Sequence, residues 1–201
     1  TIRFTSTDTQ ATLPANYTFV AADNGSHAFA NAVVLKTAGN QTVTATDTAT
    51  PTITGNQSVT VNPGATTSLQ VSGISNPSTV GIPSDVTVAA KDPFGNTTPA
   101  YNGTIRFTSS DGKASVPGNY TFVPADNGSR TFAAGVILRS PGSQSVTAAD
   151  TTTSTITGSQ TVTVNPGPAA SLQVTGIANP SSAGVSSNLT VTALDAGGNT
   201  A

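Results

Sequence analysis

"TIRFTS" occupies residues 1–6 and returns unchanged at residues 104–109. In the second setting it sits inside "DPFGNTTPAYNGTIRFTSSD" (residues 92–111), which reads as loop, strand and turn. The offset of 103 residues then holds without a gap to the last residue, and about 60% of the aligned positions are identical. Asn16-Tyr17-Thr18-Phe19-Val20 returns as residues 119–123, and Thr60-Val61-Asn62-Pro63-Gly64 as residues 163–167. The two Asn-Pro-Gly stretches, 62–64 and 165–167, separate alternating apolar segments and are the natural seams.

Cut there, the chain predicts three pieces. Residues 1–63 form the last two-thirds of a repeat, 66–166 a complete repeat, and 167–201 the first two strands of another. The frame is out of phase with the domains, so residues 1–63 are expected to take their two opening strands from a neighbour. That neighbour is either a continuous chain or another copy. Two periods exceed the chain by the five residues Pro99-Ala100-Tyr101-Asn102-Gly103, the loop joining "GNTT" to "TIRFTS".

Within 66–166 apolar residues alternate at period two between turn residues, which predicts strands. Seven follow: Leu69 and Val71; Val86, Val88 and Ala90; Ile105 and Phe107; Tyr120 and Phe122; Phe132, Val136 and Leu138, with a phase break near Gly135; Val146 and Ala148; Val162 and Val164. Tyr17 and Phe19 are expected in phase with the core, like Tyr120 and Phe122. Seven short strands in about 100 residues is the count of an immunoglobulin-like β-sandwich. The expected fold is therefore all-β: tandem immunoglobulin-like sandwiches.

Composition points the same way. Charged residues are 8% of the chain, no acid is Glu, and Cys, Met and Trp are absent. With one His and a net charge of -2, the chain has little material for acid–base, redox or metal chemistry and no basic footprint for nucleic acid. No catalytic residue and no cofactor is expected, and an enzyme is not. No apolar run approaches the roughly 20 residues that span a bilayer.

The run "VTVAAKDPFGNTTPAYNGTIRFTSSD" (residues 86–111) and its echo "LTVTALDAGGNTA" (residues 189–201) resemble the immunoglobulin-like repeats of invasin- and intimin-type bacterial surface proteins. Asp92, Gly95, Asn96 and Phe107 match that pattern, as do Asp195, Gly198 and Asn199. "AGNQTVTATD" and "PGSQSVTAAD" are similar to the penultimate strand of such repeats. Filamin-type rod repeats share part of the pattern. The resemblance implies an extracellular, cell-surface stalk or filament segment, and it names no ligand. Other copies of the chain, head to tail, are the expected partners. The rival reading is an adhesin module that meets a host protein, glycan or cell-surface ligand through the sandwich-end loops, such as 9–15 and 112–118.

Asp92, Asn96, Asp195 and Asn199 offer oxygen ligands for Ca²⁺, but one carboxylate per loop is far short of a Ca²⁺ cage. A turn in which Asp caps the backbone is the simpler reading. Asp8/Asp111 and Asp47/Asp150 also recur at the offset, without a placement that sequence can supply. His27 gives way to Arg130 and reads as an exposed polar side chain. Asn-x-Ser/Thr sequons recur at Asn16/Asn119 and Asn24/Asn127, making these four the candidate glycosylation sites.

Overall fold

In the computed structural model, which describes residues 1–201, strands carry the regular structure, with two short 3₁₀ turns at Ala21–Asp23 and Pro124–Asp126. The chain divides into two units: residues 1–65 with 92–97, and residues 66–91 with 98–201. The seam at residues 65/66 falls where the complete repeat was expected to begin; residues 92–97 go with the first unit and residues 167–201 with the second.

The first unit is one antiparallel sheet of β1 (Ile2–Ser6), β2 (Gly39–Asp47) and β3 (Thr54–Val61), in that spatial order. Phe4 stands opposite Ala45, which stands opposite Gly55, and Val43 stands opposite Gln57. Because side chains alternate across a strand, Phe4, Val43, Ala45 and Val59 share one face of the sheet. No second sheet covers that face within the unit.

The second unit contains a complete sandwich. One sheet is β4 (Ser68–Ser72), β6 (Pro83–Lys91) and β9 (Ser129–Ile137). The facing sheet runs β5 (Ser78–Thr79), β11 (Thr157–Asn165), β10 (Gly142–Asp150), β7 (Thr104–Ser109) and β8 (Tyr120–Thr121). Alternation puts Leu69, Val71, Val86 and Val88 from the first sheet against Ile105, Phe107, Val146 and Val162 from the second, all buried. Every buried side-chain polar atom has a hydrogen-bond partner, as a dry interior requires. A hairpin of β12 (Ala169–Thr175) and β13 (Thr190–Asp195) completes the unit's strands.

The all-β expectation holds, with local differences. The strand expected at Tyr120–Phe122 pairs only over Tyr120–Thr121, and β5 is an added short strand parallel to β11. The phase break expected near Gly135 centres on Ala134, which takes φ 49°. There the β6–β9 register shifts between Ser84 and Val86, and the Ala134 N–H donates to Asp85 Oδ1 at 2.8 Å. Such a bulge re-aims Val136 and Leu138 into the core. Glycine is required at Gly128, where φ is +75° and a Cβ would overlap the Thr98 carbonyl.

Phe19 departs most from expectation. It is exposed, whereas Phe122 is buried against Tyr101 with ring centroids 5.1 Å apart. Residues 26–33 are not a strand either, although Ser129–Ile137 at the offset form β9. The reason is shared: β9 pairs with β6, and the first unit contains no counterpart of β6.

Candidate functional site

Two apolar faces stand open. On the first unit Phe4, Val33, Leu35, Val43, Ala45 and Val59 line a cavity of about 450 Å³, floored by Gly55. Their counterparts at the offset are Phe107, Val136, Leu138, Val146, Ala148 and Val162, all buried in the complete sandwich. What buries those counterparts is the β4–β6 pair. At Gly158, the counterpart of Gly55, an added Cβ would overlap the Leu69 carbonyl, whereas at Gly55 it would meet nothing within 4 Å.

The β12–β13 hairpin carries the second face. Its pairing (Leu172 with Ala193, Val174 with Val191) repeats that of β4–β6 (Leu69 with Ala90, Val71 with Val88). Its burial does not: Leu172 is 69% exposed against 5% for Leu69, and Val191 is 54% exposed against 0% for Val88. Leu172, Val174 and Val191 thus form an exposed apolar patch.

The aspartates of the recurring motifs are structural caps. In the first unit Asp92 accepts from the N–H groups of Gly64, Phe94 and Asn96 and from Asn96 Nδ2, at 2.8–2.9 Å. Asn96 Nδ2 also donates to the Lys36 carbonyl at 2.8 Å, and its Oδ1 accepts from the Ala38 N–H at 2.9 Å. In the second unit Asp195 accepts from Gly167, Gly197 and Asn199, and Asn199 Nδ2 reaches the Arg139 carbonyl at 3.0 Å. The position matching Ala38 is Pro141, which has no N–H to give Asn199. The side-chain oxygens of Asp92, Asn96 and Asp195 thus face N–H donors, whereas no N–H meets Asn199 Oδ1.

Asp8 and Asp111 act alike and separately. Asp8 accepts from the N–H groups of Gln10, Lys36 and Thr37 and from Thr37 Oγ1. Asp111 accepts from those of Lys113, Arg139 and Ser140 and from Ser140 Oγ. Asp47 and Asp150 cap the turns that follow their strands, and Asp150 also accepts from Tyr101 Oη at 2.5 Å. That bond holds Tyr101, a loop residue, in the core.

Burial alone would raise these carboxyls, yet the donors outweigh it, and Asp8, Asp92, Asp111, Asp150 and Asp195 are all held below the ordinary value of 3.8. A folded-state value below the unfolded one gives stability that is full above 3.8 and is lost as pH falls through the lowered values. The melting temperature is expected to stay level from about pH 8 to about pH 5 and to drop steeply below about pH 4. Asp111→Asn should flatten part of that acid limb. A melting curve that declines already between about pH 7 and pH 5 would contradict this assignment.

His27 is not a free polar side chain. It stacks on Tyr17, ring centroids 3.9 Å apart, and lies 3.1 Å from Asp23. Arg130 repeats the arrangement, 5.2 Å above the Tyr120 ring and 3.5 Å from Asp126. Spacing of Tyr, Asp and His/Arg within eleven residues was the legible signal. Asn16, Asn24, Asn119 and Asn127 are exposed; Asn24 and Asn127 occupy left-handed turns at φ 49° and 48°. The Asn96 sequon differs, since its side-chain amide is held on both ends.

These features define an immunoglobulin-like β-sandwich that displays apolar sheet faces and capped loops, with no polar constellation inside a cleft. No family model and no curated protein matches the chain. Among solved structures it is similar to the Escherichia coli adhesin FdeC, at 21% identity and a TM-score of 0.43 over 84% of this chain and 54% of that one. It is similar to a Parabacteroides merdae β-glucuronidase at 16% identity and 0.40, over 65% of this chain and 17% of the enzyme. It is similar to the S-layer protein SbsC at 20% identity and 0.32, over 100% of this chain and 24% of that protein. In each case the chain spans well under two-thirds of the other protein's length.

Proposed function

We propose that the chain is a structural segment of an extracellular, cell-surface stalk or filament. Its sandwiches join head to tail, by continuous chain or by strand complementation. The observation that carries this reading is where the apolar residues lie. Phe4, Val43, Ala45 and Val59 on one open face, and Leu172, Val174 and Val191 on the other, repeat residues that are buried together in the complete sandwich, so the two faces suit each other. The Asp-x-x-Gly-Asn loops support a mechanical role, because each ties separate segments through charged hydrogen bonds. Low charge and abundant hydroxyls leave the remaining surface soluble without a ligand site.

Two measurements test this. Antibody raised against the chain should label intact producing cells at their surface. Particles formed from tandem fusions of the sequence should lengthen in proportion to the number of copies joined. Labelling confined to the cell interior, or particles that grow in all dimensions alike, would overturn the reading.

A further inference from the structure

We propose that the β12–β13 hairpin of one copy docks on the open face of the first unit in a second copy. There it takes the place that β4 and β6 hold in the complete sandwich, and residues 26–34 become a strand beside it. This deepens the self-association reading above and rests on it.

The complete sandwich supplies the template residue by residue. Leu172, Val174 and Val191 repeat Leu69, Val71 and Val88, in the same pairing register and with side chains already aligned. Gly55 is the vacancy into which the Leu172 carbonyl fits, as the Leu69 carbonyl lies on Gly158. Gln160 receives the Ile74 N–H on Oε1 at 3.1 Å and donates Nε2 to the Ile74 carbonyl at 2.8 Å. Gln57 is exposed on the corresponding face, set to hold Ile177 in the same way. Asn76 Oδ1 accepts from the Thr163 N–H at 3.0 Å, and Asn179 stands ready to accept from Thr60.

The edge is also prepared. In the complete sandwich β6 pairs with β9 through Val86 with Phe132, Thr87 with Thr131 and Val88 with Arg130. Docking pairs Leu189 with Phe29, Thr190 with Ala28 and Val191 with His27 by the same offset. Asn31 already holds φ 52°, the conformation that Ala134 holds at the bulge of β9 (φ 49°). Main-chain hydrogen bonds at this edge supply affinity, and the alternate side-chain pockets supply register. Because donor and acceptor are different surfaces of one chain, the contact is heterologous and propagates.

Light scattering and sedimentation of the full chain, over a range of concentrations, provide the test. The unaltered chain should form concentration-dependent oligomers. Gly55→Val closes the acceptor, and Leu172→Asp with Val191→Asp spoils the donor; each variant alone should stay monomeric at concentrations where the unaltered chain first oligomerises, its threshold raised on the order of 10- to 100-fold. Mixed, they should form a dimer that goes no further, since one retains a sound donor and the other a sound acceptor. Placing Gly55→Val on the acceptor partner as well should weaken that dimer on the order of 10- to 100-fold. Calorimetry of the complete sandwich, which none of these substitutions touches, reports that the variants fold. In oligomers the amides of residues 26–34 should gain protection from hydrogen exchange. An unaltered chain that stays monomeric, oligomers that survive with both faces spoiled, or residues 26–34 that stay unprotected would each overturn the proposal. Monomers would leave the surface-stalk reading standing through continuous chain, and the cell-labelling result decides that separately.

Discussion

Gly158→Val is expected to abolish the cooperative unfolding transition of the complete sandwich, and Gly55→Val to leave that transition where it was. The two glycines occupy equivalent places in matching strands, opposite Ala148 and Ala45. At Gly158 the main chain of β4 lies directly on the sheet, so any Cβ collides with the Leu69 carbonyl. Backbone cannot rotate away as a flexible side chain would. The sheets must part, and the loss exceeds the 1–3 kcal/mol typical of an overpacked core. A sandwich of this size has only about 5–15 kcal/mol in hand. At Gly55 a Cβ meets nothing within 4 Å. Differential scanning calorimetry checks the pair; equal shifts in both variants would refute the account.

Phe122→Ala should lower the stability of the complete sandwich by about 3–5 kcal/mol, and Phe19→Ala should lower that of the first unit by less than about 1 kcal/mol. Phe122 is 2% exposed and packs edge-on against Tyr101 and Tyr120. Truncation there empties a ring-sized volume whose walls are held by the Tyr101–Asp150 hydrogen bond and cannot collapse inward. Phe19 is 42% exposed and touches only Tyr17 among the aromatic rings. Chemical denaturation followed by tyrosine fluorescence separates the two results. A Phe122→Ala loss near 1 kcal/mol would mean that the cavity refills.

The strands of the complete sandwich were legible because each is an alternating run closed by turn residues, and alternation survives into burial at Val86, Val88, Val146 and Val162. Residues 26–34 show where such reading stops. They share their pattern with β9 yet form no strand, because strand structure belongs to a pair and the partner is absent from their unit. The caps were half legible. An Asp before Gly-Asn announces a turn by its own local bonds, as Asp92 does with Phe94 and Asn96. The reach of Asn96 to Lys36, 60 positions away, has no local signature. Tyr101 shows the same limit: its loop position says nothing of the carboxylate at Asp150 that holds it inside.

Asp8 and Asp111 each fasten a loop to a segment 28 residues further along the chain. Secreted domains often entrust that kind of fastening to a pair of cysteines, whose closure needs an oxidant and takes seconds to hours. A carboxylate meeting N–H groups closes with no enzyme and no electron acceptor, as soon as the backbone arrives. It also re-forms without any reagent whenever the backbone returns, wherever the surroundings stay above the acid range.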